Sequence, residues 1–241
     1  MTERPSSSPA PQPIVQTYSV VKTLPHDVKA FTQGMVVHNG HFLESTGQLG
    51  QSSIRKVAIS TGVVKDIDRM EDRFFGEGLT VLNGRAYVLT WLNQIAFVYD
   101  AATLRKTGQF SYAGEGWGLT NDGTHLIMSN GTNVLTYLDP ASFRVVRSLP
   151  VTFNGSPLAN LNELEWIDNE IWANVWQSDN IVRIDPQTGH VKAVIDLTGI
   201  LPSEKRTPET DVLNGIAYDP STKALYVTGK NWPNVFQIVV R

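Results

Sequence analysis

One carboxylate, Glu77, falls in step with carboxamides at Gln33, Asn162 and Asn214 and with an indole at Trp117. From Gln33 through Glu77, Trp117 and Asn162 to Asn214 the steps are 44, 40, 45 and 52 residues. Each anchor sits in a short opening phrase: Phe31-Thr-Gln-Gly34, Gly76-Glu-Gly-Leu79, Gly116-Trp-Gly-Leu119, Asn162-Glu-Leu-Glu165 and Leu213-Asn-Gly-Ile216. A second phrase follows in each interval, and these add Trp91, Trp176 and the ammonium of Lys230. Gathered at one mouth with Phe31 and Glu163, these groups would make a tryptophan-walled pocket. Such a pocket suits a neutral or partly apolar substrate and keeps water out. A lone glutamate inside it has its pKa raised by desolvation, towards the range useful for proton transfer near neutrality. The inventory fits a reaction that carries its own nucleophile and needs a proton relocated.

Composition removes other chemistries. The 241 residues include no cysteine, which excludes thiol nucleophiles, disulfides and thiolate metal sites. The five histidines are scattered, with His38 and His41 flanking a turn, and no close ligand spacing occurs. No metal and no other cofactor is expected. A net charge of −3 gives no reason to expect nucleic acid or an anionic membrane as partner. No apolar run is long enough for a transmembrane helix. Taken singly, Trp91 and Trp117 read as core or channel filler, and Glu44 and Glu71 as solvated carboxylates. Repeat register sets the site residues apart from these.

The elements that must position them follow from the same repeats. Phrases such as Val98-Tyr-Asp-Ala-Ala-Thr-Leu104, Tyr137-Leu-Asp-Pro-Ala-Ser-Phe143 and Arg183-Ile-Asp-Pro-Gln-Thr-Gly189 read as strand, tight turn, strand. A period near 45 residues, with about four short strands per unit, predicts an all-β, five-bladed β-propeller over residues 14–241. The last unit is short, so the strand-like Ile14–Leu24 is expected to complete it and close the ring. The glycines beside the anchors read first as small residues needed by packed inner strands. Gly199–Thr210 reads as a loop insertion. Residues 1–13 are Pro/Ser-rich and read as a disordered arm. They lack the apolar region of a signal peptide. The expected location is periplasmic or secreted, with the export signal absent from this chain; a native cytosolic tail is the alternative. A monomer is expected.

Several phrases together resemble the plant and bacterial type of glutaminyl cyclase. They are Phe31-Thr-Gln-Gly, Glu44-Ser-Thr-Gly, Phe74-Phe-Gly-Glu-Gly78, Leu89-Thr-Trp, Gly116-Trp-Gly-Leu-Thr120, Leu161-Asn-Glu-Leu-Glu165, Ala173-Asn-Val-Trp176, Asp211-Val-Leu-Asn-Gly-Ile216 and Thr228-Gly-Lys-Asn-Trp-Pro233. The likeness runs in order from Ile14 to the C-terminus. It implies conversion of an N-terminal glutamine of peptides or proteins to pyroglutamate, with release of ammonia. Glu77 matches the family's essential glutamate, a proton shuttle. Asn162 matches a residue that hydrogen-bonds the substrate. Gln33 and Lys230 would position the carboxamide and help carry charge on its oxygen. Phe31, Trp91, Trp117 and Trp176 would form apolar walls. Trp172 and Trp232 receive no role. Some members hold a calcium ion in the channel, but the family's reaction is metal-independent.

Two other readings compete. A propeller can bind peptides through its funnel without catalysis. Such a module has no need for a buried acid among tryptophans. A metal-dependent hydrolase or lactonase would need Glu77, Asn162, Glu163 and Asn214 around one ion. That arrangement leaves the tryptophans unexplained and sets Lys230 against a cation.

Overall fold

The protein is described by a computed structural model covering residues 12–241. Most of the predicted arm therefore lies outside the described residues. Five blades, each built on four antiparallel strands, surround one axis, with inner strands Thr32–His38, Gly76–Leu82, Leu119–Asn121, Leu161–Ile167 and Leu213–Asp219. Each inner strand packs against those of the blades on either side. Among the described residues the only helical element is a single 3-10 turn, Ser203–Lys205, in the predicted insertion. No helix there is long and apolar enough to cross a membrane.

Local chemistry explains the meanders. Asn39-Gly40 and Asn83-Gly84 adopt positive φ at both positions, the backbone of a two-residue hairpin whose twist matches its strands. The repeated Asp phrases close the third strand onto the fourth. Asp100, Asp139 and Asp185 each accept backbone N–H groups two and three residues ahead. The second strands, such as Arg85–Thr90 and Ala224–Gly229, are buried almost throughout because both faces of each blade are covered. Outer strands such as Lys106–Ser111 are mostly exposed.

The core is divided into five clusters, one between each pair of neighbouring blades. Leu43 and Leu79 join blades one and two; Ile216 and Trp172 join blades four and five. Truncating one such Leu to Ala costs about 2–5 kcal/mol. Near the axis the blades come too close for side chains at some positions. A Cβ added at Gly78 would strike the backbone of Trp117 and Leu119, and one at Gly118 the carbonyl of Asn162. These glycines let inner strands touch.

The N-terminal strand differs in part from expectation. Tyr18–Pro25 pairs antiparallel with Asn234–Val240 as the outermost strand of blade five. Ile14–Gln16 separates from it and pairs in parallel with Val191–Asp196, the edge of blade four. The break falls at Thr17, which exchanges backbone hydrogen bonds with Arg241. One continuous strand cannot run along two blades at once.

Candidate active site

Antiparallel pairing sets the opening of each inner strand beside the close of the second. Thr32 faces Thr46, Gly76 faces Thr90, Leu161 faces Val175 and Leu213 faces Gly229. Both phrases of each repeat therefore reach the same rim of the ring. At each of these four openings the ladder is irregular: between Thr32 and Gly34, Gly76 and Leu79, Leu161 and Leu164, and Leu213 and Ile216. Gln33, Glu77, Asn162 and Asn214 all lie inside those bulges. A bulge re-aims a side chain that strict alternation would send to one face of the blade.

One cavity of about 270 Å³ results. Its lining includes Phe31, Gln33, Glu77, Trp91, Trp117, Asn162, Trp176 and Lys230, all eight residues singled out for the site, together with Phe75 and Asp211. Rings form most of the wall. Phe31 meets Phe75 edge-on at 6.0 Å, Phe75 meets Trp91 at 5.7 Å, and Trp117 meets Trp176 at 5.5 Å. Glu115 joins the two halves. Its Oε2 accepts from the indole N–H of Trp91 at 2.7 Å and of Trp117 at 2.9 Å.

Glu77 is 5% exposed. Its Oε1 accepts one hydrogen bond from Gln33 Nε2 at 3.0 Å, and its backbone carbonyl accepts from Ser45 Oγ at 2.5 Å. Asn214 donates to Gln33 Oε1 at 3.4 Å and to the Thr32 carbonyl at 3.0 Å, which orients the Gln33 amide. Burial pushes the Glu77 carboxyl well above the usual carboxylate range; Lys230 opposes that shift and Glu115 adds to it. Lys230 is 5% exposed, with Nζ 4.7 Å from the centre of the Phe31 ring. Burial pushes its ammonium down, against the pull of Glu77 and Asp211. Each partner favours the other's charge, yet desolvation outweighs the attraction at both. Both groups are biased towards their neutral forms.

Asn162 lines the cavity, and its Oδ1 is buried without a hydrogen-bond partner.

Other expectations need correction or completion. Asn214 stands behind Gln33 instead of lining the wall. Glu163 is turned to the neighbouring strands, where its carboxylate accepts from the backbone N–H of Met35 at 3.3 Å and Ile216 at 2.9 Å. Glu44 is not solvated: it is 1% exposed, between Arg55, His26 and Thr32. Glu71 is exposed as expected, in an ion pair with Arg73. Trp172 and Trp232 are packing residues, the first under the Arg183 guanidinium, the second donating to the Asp211 carbonyl at 2.8 Å. Phe75, Asp211 and Glu115 were not singled out from the sequence. Phe75 sits beside Glu77 in a quoted phrase, but nothing local separates it from Phe74, which goes to the core. Among the described residues no three His, Asp or Glu side chains gather as a metal site.

Comparison with known proteins gives the family and the fold. The model of the glutamine cyclotransferase family matches residues 1–240. The chain is 44% identical over 233 residues to a glutaminyl-peptide cyclotransferase of Arabidopsis thaliana, covering 94% of this chain and 72% of that protein. It superposes on the crystal structure of Myxococcus xanthus glutaminyl cyclase with a TM-score of 0.89 and 36% identity, covering 95% of this chain and 98% of that one. The Pan2 WD40 domain of Neurospora crassa, at 10% identity and a TM-score of 0.51 over 86% of this chain and 74% of that one, shares the fold alone.

Proposed function

The chain belongs to the glutamine cyclotransferase family, and from that premise we propose that it converts the N-terminal glutamine of peptides and proteins to pyroglutamate, with Glu77 relaying the proton. The observation that carries the reading is a carboxyl group buried among aromatic rings and held by a single amide donor.

The α-amino nitrogen attacks the side-chain carbonyl carbon of the same residue. A C–N bond forms and the carbonyl oxygen takes up charge. Glu77 gives its proton to the departing amide nitrogen and takes up the one that the attacking nitrogen sheds. The C–N bond to that nitrogen breaks and ammonia leaves. Such a relay is worth about 10²–10⁴-fold in rate. Lys230 supports charge on the oxygen. Asn162 Oδ1 accepts from a substrate N–H. Gln33 keeps the Glu77 carboxyl from swinging away. The ring wall holds amine and carbonyl in attack geometry and excludes the water that would hydrolyse the amide. Both reacting groups belong to one residue, so no second substrate and no metal is needed.

Incubation with a glutamine-initiated peptide tests this directly. The peptide loses about 17 Da, one ammonia, by mass spectrometry. EDTA leaves the rate unchanged. A peptide that is retained but keeps its mass would reduce the protein to a binding module. Loss of activity in EDTA with rescue by zinc would favour a hydrolase-type site.

A further inference from the structure

The aromatic wall does not go all the way round. Blade one contributes Phe31, blade two Phe75 and Trp91, blade three Trp117 and blade four Trp176. Blade five contributes no ring to it, only Lys230 and Asp211. Its own tryptophan, Trp232, is buried below and holds the Asp211 carbonyl. At that gap a second cavity of about 330 Å³ begins, and Asp211 lines both. The second cavity is mainly polar. Gln177 and Asp179, which follow Trp176, form one side, and Arg206 and Thr210 of the insertion form the other.

Asp211 is fixed at the junction. Its N–H donates to the Lys230 carbonyl at 3.0 Å, and its Oδ1 accepts from the Val212 N–H at 2.7 Å. Asp179 is fixed through its carbonyl, which accepts from the Leu197 N–H at 2.8 Å. The lining holds two acidic residues and one arginine, a net negative charge, with the Arg206 guanidinium 5.9 Å from the centre of the Trp232 ring.

Cyclisation leaves the peptide bond after the glutamine intact. The rest of the substrate must leave the first cavity while the reaction proceeds. On the other four blades the wall is built of aromatic rings, so the gap at Asp211 is where polar groups continue from the first cavity, and one residue of extended chain advances only about 3.3–3.6 Å. We propose that the polar cavity beside Asp211 is the subsite for the residue following the N-terminal glutamine, and that it favours a basic or uncharged side chain there over an acidic one. This rests on the glutamine-cyclising reading above.

The test compares glutamine amide with peptides that carry Lys, Ala or Glu after the glutamine. Turnover is followed by ammonia release at low and high salt. We expect kcat/KM for the Lys peptide to exceed that for the Glu peptide by about three- to tenfold at low salt, with the ratio shrinking as salt screens it. Asp179→Asn lowers the ratio, and Arg206→Gln raises it. A ratio near one in the parent enzyme at both salt concentrations overturns the proposal. So does a ratio that neither substitution moves in folded protein. Absence of ammonia even from glutamine amide would instead sink the cyclase reading on which the proposal stands.

Discussion

Glu44 and Glu77 are the same residue type, on strands that neighbour one another, and both are buried, at 1% and 5% exposure. Their chemistry is opposite. Glu44 is held well below the usual carboxylate range by Arg55 and His26, with Thr32 donating as well, and these outweigh its burial. Arg55 reaches it at 2.8 Å, His26 at 2.9 Å and Thr32 at 2.6 Å. Glu77 has one amide donor, and burial pushes it up. Burial alone does not make a reactive acid. What separates the two is the supply of donors, and a group short of donors is one whose proton can be moved.

Glu77→Gln should break the comparison on the reactive side. The amide still accepts from Gln33 but cannot relay a proton, so kcat should fall by about 10²–10⁴-fold. The melting temperature should stay level or rise, because a strained acid has been removed. Turnover within a few-fold of the parent would overturn the role given to Glu77. Glu44→Gln should break it on the structural side. It leaves Arg55 buried beside a neutral group, and denaturant unfolding should show a loss of about 3–5 kcal/mol. The folded fraction should keep far more activity than Glu77→Gln does.

Stability against pH sharpens the contrast. Glu44 is depressed in the fold, so its contribution is present above the unfolded value of about 4.3 and drains as pH falls below it. Glu165 is buried and pushed up to about 8. It stays protonated in the fold while the unfolded chain ionises. The stability it lends is whole below about pH 4.3 and is lost as pH rises towards its folded value. Melting temperature should therefore peak on the acid side of neutrality. Glu165→Gln should flatten the alkaline slope alone, and an unchanged slope would contradict the assignment.

The smallest effect is expected at Glu115. Both indoles donate to one of its oxygens, and a glutamine carbonyl can accept both. Glu115→Gln should change kcat/KM by less than about tenfold. It also removes a negative charge near Glu77, so the pH–rate limb belonging to that acid should move to lower pH. Glu115→Ala should keep the pH shift and lose the wall as well, read as a raised KM.

Much of this was legible in the sequence, for a physical reason. A propeller repeats one unit, and equal spacing forces the openings of all inner strands to one rim. Register therefore gathers Gln33, Glu77, Trp117 and Asn162. The bulges that aim them leave no mark in the pattern, because Gly76-Glu-Gly reads equally as a regular strand. The burial of Glu44 leaves no mark in the sequence because its partners are remote in sequence or on other strands: His26, Arg55 and, through Arg55, Asp27. Asp211 and Glu115 act through loops whose paths no period predicts. The division of Ile14–Leu24 at Thr17 depended on a pairing with the far end of the chain.

That pairing has a consequence for how the protein comes into being. A strand near residue 20 finds its partner only near residue 237, across almost the whole length of the chain. During synthesis it must wait, unpaired, until the last blade has left the ribosome. Lys230 arrives only then, next to Glu77 from much earlier in the chain. Folding governed by such distant contacts is slow, and the waiting strand offers an open edge to other chains. The cavity is among the last features of the propeller to be completed.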